Sequence, residues 1–262
     1  MPIVLILLFV TGSAALVRAW LATRATALFH AVHWSIAAWL TWGLAIFVPE
    51  RATHPDPLTY VALCLTGCAG VAVLGARRPH VTAWNFVVLG LLAVMVLPLV
   101  EKTFIGTQSL DWLRITFLAI TLGVSVLNYL PTRFGPAAFL GGLACAAEMI
   151  AIAAPEPLQR GMESDVLRSC LMAVPALGLV RLFPAATNEL DQMWRDFRDA
   201  WGLVWGERVR EQFNRSAANA AWPVHLTWFG FKFTRPMDAA TQAAVRDTLR
   251  ALLSRFTEVE KK

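Results

Sequence analysis

The sequence predicts an all-α protein, a polytopic bundle of about seven transmembrane helices followed by a small, mainly helical cytoplasmic domain. First, 57% of the residues are hydrophobic and only 16% are charged, whereas about a quarter of the residues are charged in soluble domains. Second, apolar segments of about 20 residues, long enough to cross a bilayer, recur at short intervals. Third, residues 183–262 hold 22 of the 41 formal charges, so the chain divides near Pro184.

The membrane domain is predicted over residues 1–184. Its spans are separated by short connections in which prolines and glycines interrupt the helices. The first apolar run has no basic residues before it, so it is interpreted as a retained span rather than a signal peptide. Asp165, Arg168 and Pro175 interrupt the last run. The predicted spans are 2–20, 27–48, 57–75, 82–100, 111–130, 137–154 and 165–182.

The orientation follows from the basic residues in the short loops, because Lys and Arg are enriched on the cytoplasmic side. Basic residues follow the odd-numbered spans, whereas those in the opposite loops lie beside acidic residues. This pattern predicts an outside N-terminus and a cytoplasmic C-terminus, and the short loops favour a bacterial inner membrane. The basic residues on the predicted cytoplasmic side are Arg18, Arg24, Arg77, Arg78, Arg133 and Arg181.

Residues 185–262 are predicted to form a cytoplasmic tail with two amphipathic helices and an aromatic extended segment between them. The first helix carries an apolar stripe at steps of three and four residues. Such a stripe lies on an anionic membrane surface, or it packs on the final helix or on a second copy of the chain. A domain this small has little core of its own, so we expect a protein partner or a homo-oligomer through the tail. The aromatic members of the stripe considered for these contacts are Trp194, Phe197, Trp201 and Trp205.

An acidic residue inside the sixth predicted span is the most suggestive polar residue. An ionised carboxylate in the hydrocarbon region is costly and requires a cationic partner or a proton. At a rise of about 1.5 Å per residue, Glu148 lies at a depth similar to the depths of Arg114 and Arg168. We expect Glu148 to pair with one of these arginines, either as a structural clamp between spans or as a site for an anionic substrate or a proton.

Histidines near the cytoplasmic end of the second span raise the possibility of a metal or haem site. His30 and His33 lie three residues apart on nearly one helix face, and His80 lies in the next cytoplasmic turn. Neutral imidazole commonly ligates metals and haem iron. One helix cannot readily supply both axial ligands of a haem, however, so the pattern favours hydrogen-bonding histidines near the lipid head groups and no cofactor.

Composition and motifs narrow the function classes. The net charge of +5 is spread over both parts of the chain, so no strongly basic surface indicates nucleic-acid binding. The sequence contains no phosphate-binding, dinucleotide-binding, zinc-protease or serine-hydrolase motif, and nothing in it supports an enzyme. The leading hypothesis is a non-catalytic assembly or accessory subunit of a membrane complex. The alternatives are a small permease that uses the Glu148 site and a haem-handling membrane protein.

Overall fold

The computed structural model describes residues 2–48, 57–77, 80–105, 112–153, 165–178 and 188–257. These residues form nine helices and one two-stranded antiparallel hairpin. The helices are α1 (Pro2–Thr23), α2 (Phe29–Phe47), α3 (Pro57–Leu74), α4 (Val81–Ile105), α5 (Trp112–Tyr129), α6 (Gly135–Ala153), α7 (Asp165–Leu177), α8 (Glu189–Asn219) and α9 (Ala239–Thr257), and the strands are β1 (Val224–Thr227) and β2 (Gly230–Phe233).

Five of the described helices, α1, α3, α4, α5 and α6, are long and apolar enough to cross a membrane. The other two predicted spans correspond to α2 and α7. Helix α2 has 19 residues, but its two histidines and three tryptophans lower its mean hydropathy. Helix α7 is described over 13 residues, and the end of the predicted seventh span, residues 179–182, lies outside the described part of the chain, as do Arg78 and Arg181.

Six of the apolar helices pack in a closed order. Helix α1 packs on α2, α2 on α3, α3 on α5, α5 on α6, α6 on α7, and α7 returns to α1. Helix α4 stands outside this ring and packs on α3. The ring is held partly by indole N–H groups that donate across helices: Trp39 to the hydroxyl of Ser13 at 3.0 Å, and Trp42 to that of Thr66 at 3.0 Å.

The C-terminal segment, residues 188–257, packs against one end of the ring. The Ala27 N–H, between α1 and α2, donates to the Phe256 carbonyl at 3.0 Å. The Trp201 indole reaches the Ala76 carbonyl after α3 at 3.1 Å, and the Trp228 indole reaches the Pro131 carbonyl after α5 at 2.9 Å. Three successive odd-to-even connections therefore lie at the same end of the bundle, which is the arrangement of helices that alternate in direction.

Side chains organise the C-terminal segment locally. Asn188 caps α8 by accepting a hydrogen bond from the Asp191 N–H at 2.7 Å, as expected at a helix N-terminus. Asn214 of α8 bonds both the N–H and the carbonyl of Leu226, at 2.7 and 2.8 Å, which fixes the hairpin on the helix. The carboxylate of Asp238 accepts from the Thr241 N–H at 2.8 Å and starts α9.

The apolar stripe of the tail is buried within the chain itself. Its four aromatic side chains are only 0–6% exposed. Phe197 stacks on Trp201, and Phe256 of α9 packs edge-on against Phe197 with a distance of 4.9 Å between the ring centroids. Of the alternatives given for this stripe, the structure shows packing on the final helix, and one end of the bundle covers the rest. The residues concerned are Trp194, Phe197, Trp201 and Trp205, and a partner for the tail stays a prediction.

Candidate functional site

An open cavity of about 640 Å³ lies between the six helices of the ring. Ligand sites of small molecules commonly have volumes of about 300–1,000 Å³. The cavity begins at the end of the bundle that carries the C-terminal segment and reaches about the middle of the ring. Residues from all six helices line it, among them Ala19 of α1, Trp42 of α2, Thr66 of α3, Ser125 of α5, Gly141 of α6 and Val174 of α7.

The wall of the cavity is mostly apolar. Its hydroxyl groups are occupied locally: Ser35 donates to the Ala31 carbonyl at 3.0 Å, and Ser125 to the Thr121 carbonyl at 2.9 Å. Such bonds to the preceding helical turn leave little free polarity on the wall. Glycine keeps two helices close, because a Cβ atom at Gly142 would lie 2.8 Å from a methyl carbon of Val126. The wall thus suits an apolar body.

Two arginines line the cavity at the end near the C-terminal segment, and no aspartate or glutamate is among its described lining residues. Arg18 of α1 makes no hydrogen bond or ion pair with another described residue. The guanidinium of Arg133 lies 4.6 Å over the Phe134 ring, and its Nε atom is 3.9 Å from Asp199 Oδ2. This Nε atom is buried and has no hydrogen-bond partner among the described residues. The cavity is therefore positively charged at one end.

Helix α8 borders that end of the cavity. Ala200 contributes to the cavity lining, and its carbonyl accepts a hydrogen bond from the Tyr129 hydroxyl at 3.0 Å. Asp199, beside it, accepts hydrogen bonds from Arg198 at 2.7 and 2.9 Å and from the Arg133 backbone N–H at 3.3 Å. The C-terminal segment is therefore part of the cavity wall and not a separate appendage.

The predicted acidic site is only partly described. Glu148 is half-buried on α6, one turn beyond the cavity residue Cys145. Arg114 forms an ion pair of 2.8 Å with Glu101 of α4, a partner that the sequence did not suggest. The side chain of Arg168 lies outside the described residues. The pairing of Glu148 with Arg114 or Arg168 stays a prediction.

The predicted histidine site contains one fully hydrogen-bonded imidazole. Both ring nitrogens of His33 are engaged, Nε2 by the Trp20 indole at 3.3 Å and Nδ1 by the Phe29 carbonyl at 2.8 Å. His30 is half-buried and His80 is exposed. The described residues contain no group of three or more His, Cys, Asp or Glu side chains placed to hold a metal ion. Haem ligation by His33 would require breaking one of its two bonds.

The chain matches no protein-family model, no curated protein and no solved structure.

The cavity residues were not identified from the sequence, although a signal for them was present. Small residues recur at three- and four-residue steps on two helices that line the cavity, as Ala15, Ala19 and Ala22 on α1 and as Ala138 and Gly142 on α6. Such spacing is common in membrane helices simply because small residues allow close packing. The pattern indicates a cavity only when it is known which helices are neighbours.

Proposed function

We propose that this chain is a small carrier of the permease class, which binds a small molecule in the cavity at the centre of its helical ring. The observation that carries this proposal is the closed ring that six neighbouring helices form around a cavity of about 640 Å³. A helical bundle that serves only as an anchor needs no interior space, since well-packed helices leave few voids larger than a water molecule.

The proposed topology has seven spans, with the N-terminus outside and the C-terminal segment in the cytoplasm. Helices α2 and α7 are needed to close the ring, so we assign both as spans. Arg18, Arg24, Arg77 and Arg133 all lie at the end of the bundle that carries the C-terminal segment, which fits the excess of basic residues on cytoplasmic loops. The proposed location is the inner membrane of a bacterium.

The hypothesis of an assembly subunit rested on the lack of catalytic motifs together with an apolar tail stripe that required a cover. Because α9 and the ends of α3 and α5 cover this stripe, a partner is not needed to bury it. The same contacts support the carrier, since they bring Ala200 and the Arg198–Asp199 pair to the cytoplasmic end of the cavity. We propose that movement of the C-terminal segment opens and closes this end of the cavity.

The outer half of the path is proposed to pass Glu148. This residue follows Cys145 by one helical turn, toward the end of the bundle away from the C-terminal segment. Arg168 precedes the cavity residue Leu171 by one turn on α7, so the two charged residues occupy similar levels. A carboxylate and a guanidinium at this level would form the outer gate of the cavity.

The experiment measures whether the cavity is reached from both sides of the membrane. A variant that retains only Cys145, and a second with only Ala138→Cys, are treated with a membrane-impermeant methanethiosulfonate in right-side-out and in inverted vesicles. We expect modification of both cysteines from both sides. The matched control retains only Cys64, which is fully buried in the core and does not line the cavity, and it should stay unmodified.

A cavity-filling variant connects the modification to this site. Replacing Gly141 by Trp places a large ring inside the cavity, so modification of Cys145 should fall from both sides while the protein still inserts. Modification from one side alone would describe a pocket without transport and would overturn the carrier. Modification from neither side, with full reaction after denaturation, would show that the cavity is sealed and would also overturn it.

A further inference from the structure

We infer that the ligand of the central cavity is an anionic amphiphile, a molecule with a carboxylate or phosphate head group and a single apolar chain. The inference rests on the proposed function and adds the chemical class of the ligand. It is carried by the uneven distribution of charge along the cavity: two arginines at one end, no described acidic residue on the wall, and an apolar wall elsewhere.

Arg18 supplies the first unneutralised charge. It lines the cavity from α1, one to two turns before the end of that helix. Its side chain is exposed at this end of the bundle, and no described residue pairs with it, so its guanidinium is accessible to an anion at the mouth of the cavity. The neighbouring Arg24 differs, because its guanidinium lies 3.8 Å over the Trp20 ring and it does not line the cavity. An anionic head group in the cavity would gain a charge-assisted hydrogen bond from Arg18.

Arg133 supplies the second charge, because Asp199 does not neutralise it fully. The Asp199 Oδ1 atom already accepts two hydrogen bonds from Arg198 and one from the Arg133 backbone. The side chain of Arg133 comes no closer than 3.9 Å to this carboxylate, and its buried Nε makes no hydrogen bond with a described residue. Arg198, Asp199, Arg133 and Arg18 together carry a net charge of +2 at this end.

The remaining wall selects an apolar chain. Beyond the arginines the cavity is lined by small and apolar residues from six helices, and its serine hydroxyls are bonded to their own helices. A free inorganic anion would leave this space without contacts. A neutral apolar molecule would leave the two cations without a partner. A ligand that has both parts satisfies both regions, with the head group at the cytoplasmic end and the chain pointing toward Trp39 and Trp42.

The test uses the full chain in nanodiscs of phosphatidylcholine. The anionic probe is cis-parinaric acid, and its methyl ester is the neutral probe of the same shape; binding is measured as saturable energy transfer from the tryptophans. We expect saturable binding of the acid. The affinity for the ester should be about tenfold lower, because the ester cannot form charge-assisted hydrogen bonds with the arginines. Displacement by oleate or by lysophosphatidate then tells whether a carboxylate or a phosphate head group binds more tightly.

Substitutions show whether weaker binding results from a lost positive charge or from a damaged fold. The double variant Arg18→Gln with Arg133→Gln should weaken acid binding to the level of the ester and leave ester binding unchanged, which also shows that the cavity is intact. Arg24→Gln is the matched control and should bind both probes as the unmodified chain does. Equal binding of acid and ester, unaffected by the double variant, would overturn the anionic ligand and leave the carrier standing. Saturable binding of neither probe, together with a cavity closed to methanethiosulfonates, would overturn both.

Discussion

The side-chain amide of Asn128, on α5, spans the interruption of α8 at Gly202. Gly202 has φ +77° and ψ −164°, which break the helical hydrogen-bond ladder. The amide oxygen of Asn128 accepts a hydrogen bond from the Val204 N–H at 3.0 Å, and its nitrogen donates to the Trp201 carbonyl at 3.4 Å. A membrane-helix residue thus replaces the backbone bonds that α8 lacks, which ties the C-terminal segment to the bundle.

We expect Gly202→Ala to destabilise the protein by roughly 1–3 kcal/mol. A side chain is strained at this positive φ, and the added Cβ would collide with the amide of Asn128. The free energy of unfolding, measured by SDS titration in mixed micelles, checks this value. Gly123→Ala is the matched control, because a Cβ at Gly123 meets no atom within 4 Å. Equal stability of the two variants would contradict the role given to the break.

We expect Trp205→Phe to destabilise the docking of α8 by about 1 kcal/mol, the usual net contribution of one hydrogen bond. The Trp205 indole donates to the Val73 carbonyl near the end of α3 at 3.1 Å, and phenylalanine keeps the aromatic packing but lacks this donor. The measurement is the midpoint of thermal unfolding in detergent. Trp222→Phe serves as the control, since its indole makes no hydrogen bond with a described residue, and a matching loss there would indicate a size effect instead.

The sequence contained the apolar stripe of α8 and offered the final helix as one of its possible covers, but not the ends of α3 and α5. The three- and four-residue spacing indicates an amphipathic helix whatever it packs on, and only the fold brings Val73 and Ala76 beneath Trp205 and Trp201. The break at Gly202 was also missed, although an isolated glycine within a helical pattern is a known warning.

The partner of Arg114 was not predicted because the end of the fourth helix was placed too early. Glu101 was assigned to the loop after a span ending at residue 100, whereas α4 continues to Ile105. The extension places Glu101 opposite Arg114 of α5. Helix ends are weakly encoded locally, so contacts near them depend on the tertiary structure.

The capping of α9 by Asp238 predicts a dependence of its stability on pH. Hydrogen bonds from the side chain and the backbone N–H of Thr241 hold the pKa of the Asp238 carboxyl below its ordinary value. A lowered folded-state pKa means that the ionised cap stabilises the folded state at neutral pH. This contribution should begin to decline once the pH falls below about 3.9, the ordinary value for aspartate, and should be lost as it passes the folded-state pKa.

Hydrogen exchange of the first turn of α9 measures this effect. Protection of the Thr241 amide should decrease between pH 5 and pH 2 after correction for the intrinsic exchange rate. Asp238→Asn is the control, because asparagine also caps helices but does not titrate, so its corrected protection should stay constant. The same decline in both variants would assign the effect to other groups.

The charge of Glu148 distinguishes a structural clamp from a path-lining residue. If Glu148 lines the path, its carboxylate attracts a cationic methanethiosulfonate at Cys145 and repels an anionic one, by roughly 1 kcal/mol each at an effective dielectric constant between those of protein and water. For a path-lining Glu148, Glu148→Gln should therefore reduce the ratio of cationic to anionic modification rates at Cys145 by about thirtyfold, since each step of about 1.4 kcal/mol is tenfold. An unchanged ratio would mean that an arginine already neutralises Glu148, as in a clamp.

The buried pair of Arg198 and Asp199 should show strong coupling. Both side chains are less than 10% exposed, and Arg198 also donates to the Trp228 carbonyl at 2.9 Å, which joins the pair to the hairpin. Removing one member leaves an uncompensated buried charge, which typically costs about 3–5 kcal/mol. We therefore expect Asp199→Ala to be strongly destabilising in SDS titration.

The double variant Arg198→Met with Asp199→Ala should recover much of this loss, because it removes both charges and keeps an apolar side chain of similar length. A coupling energy near zero in the double-mutant cycle would contradict a specific pair. The cycle also bears on the cavity. Without Asp199, Arg133 loses its nearest described carboxylate, so Asp199→Ala should tighten binding of cis-parinaric acid while leaving its methyl ester unaffected. Weaker binding of the acid in this variant would mean that Asp199 holds Arg133 in place for the ligand and does not compete with it.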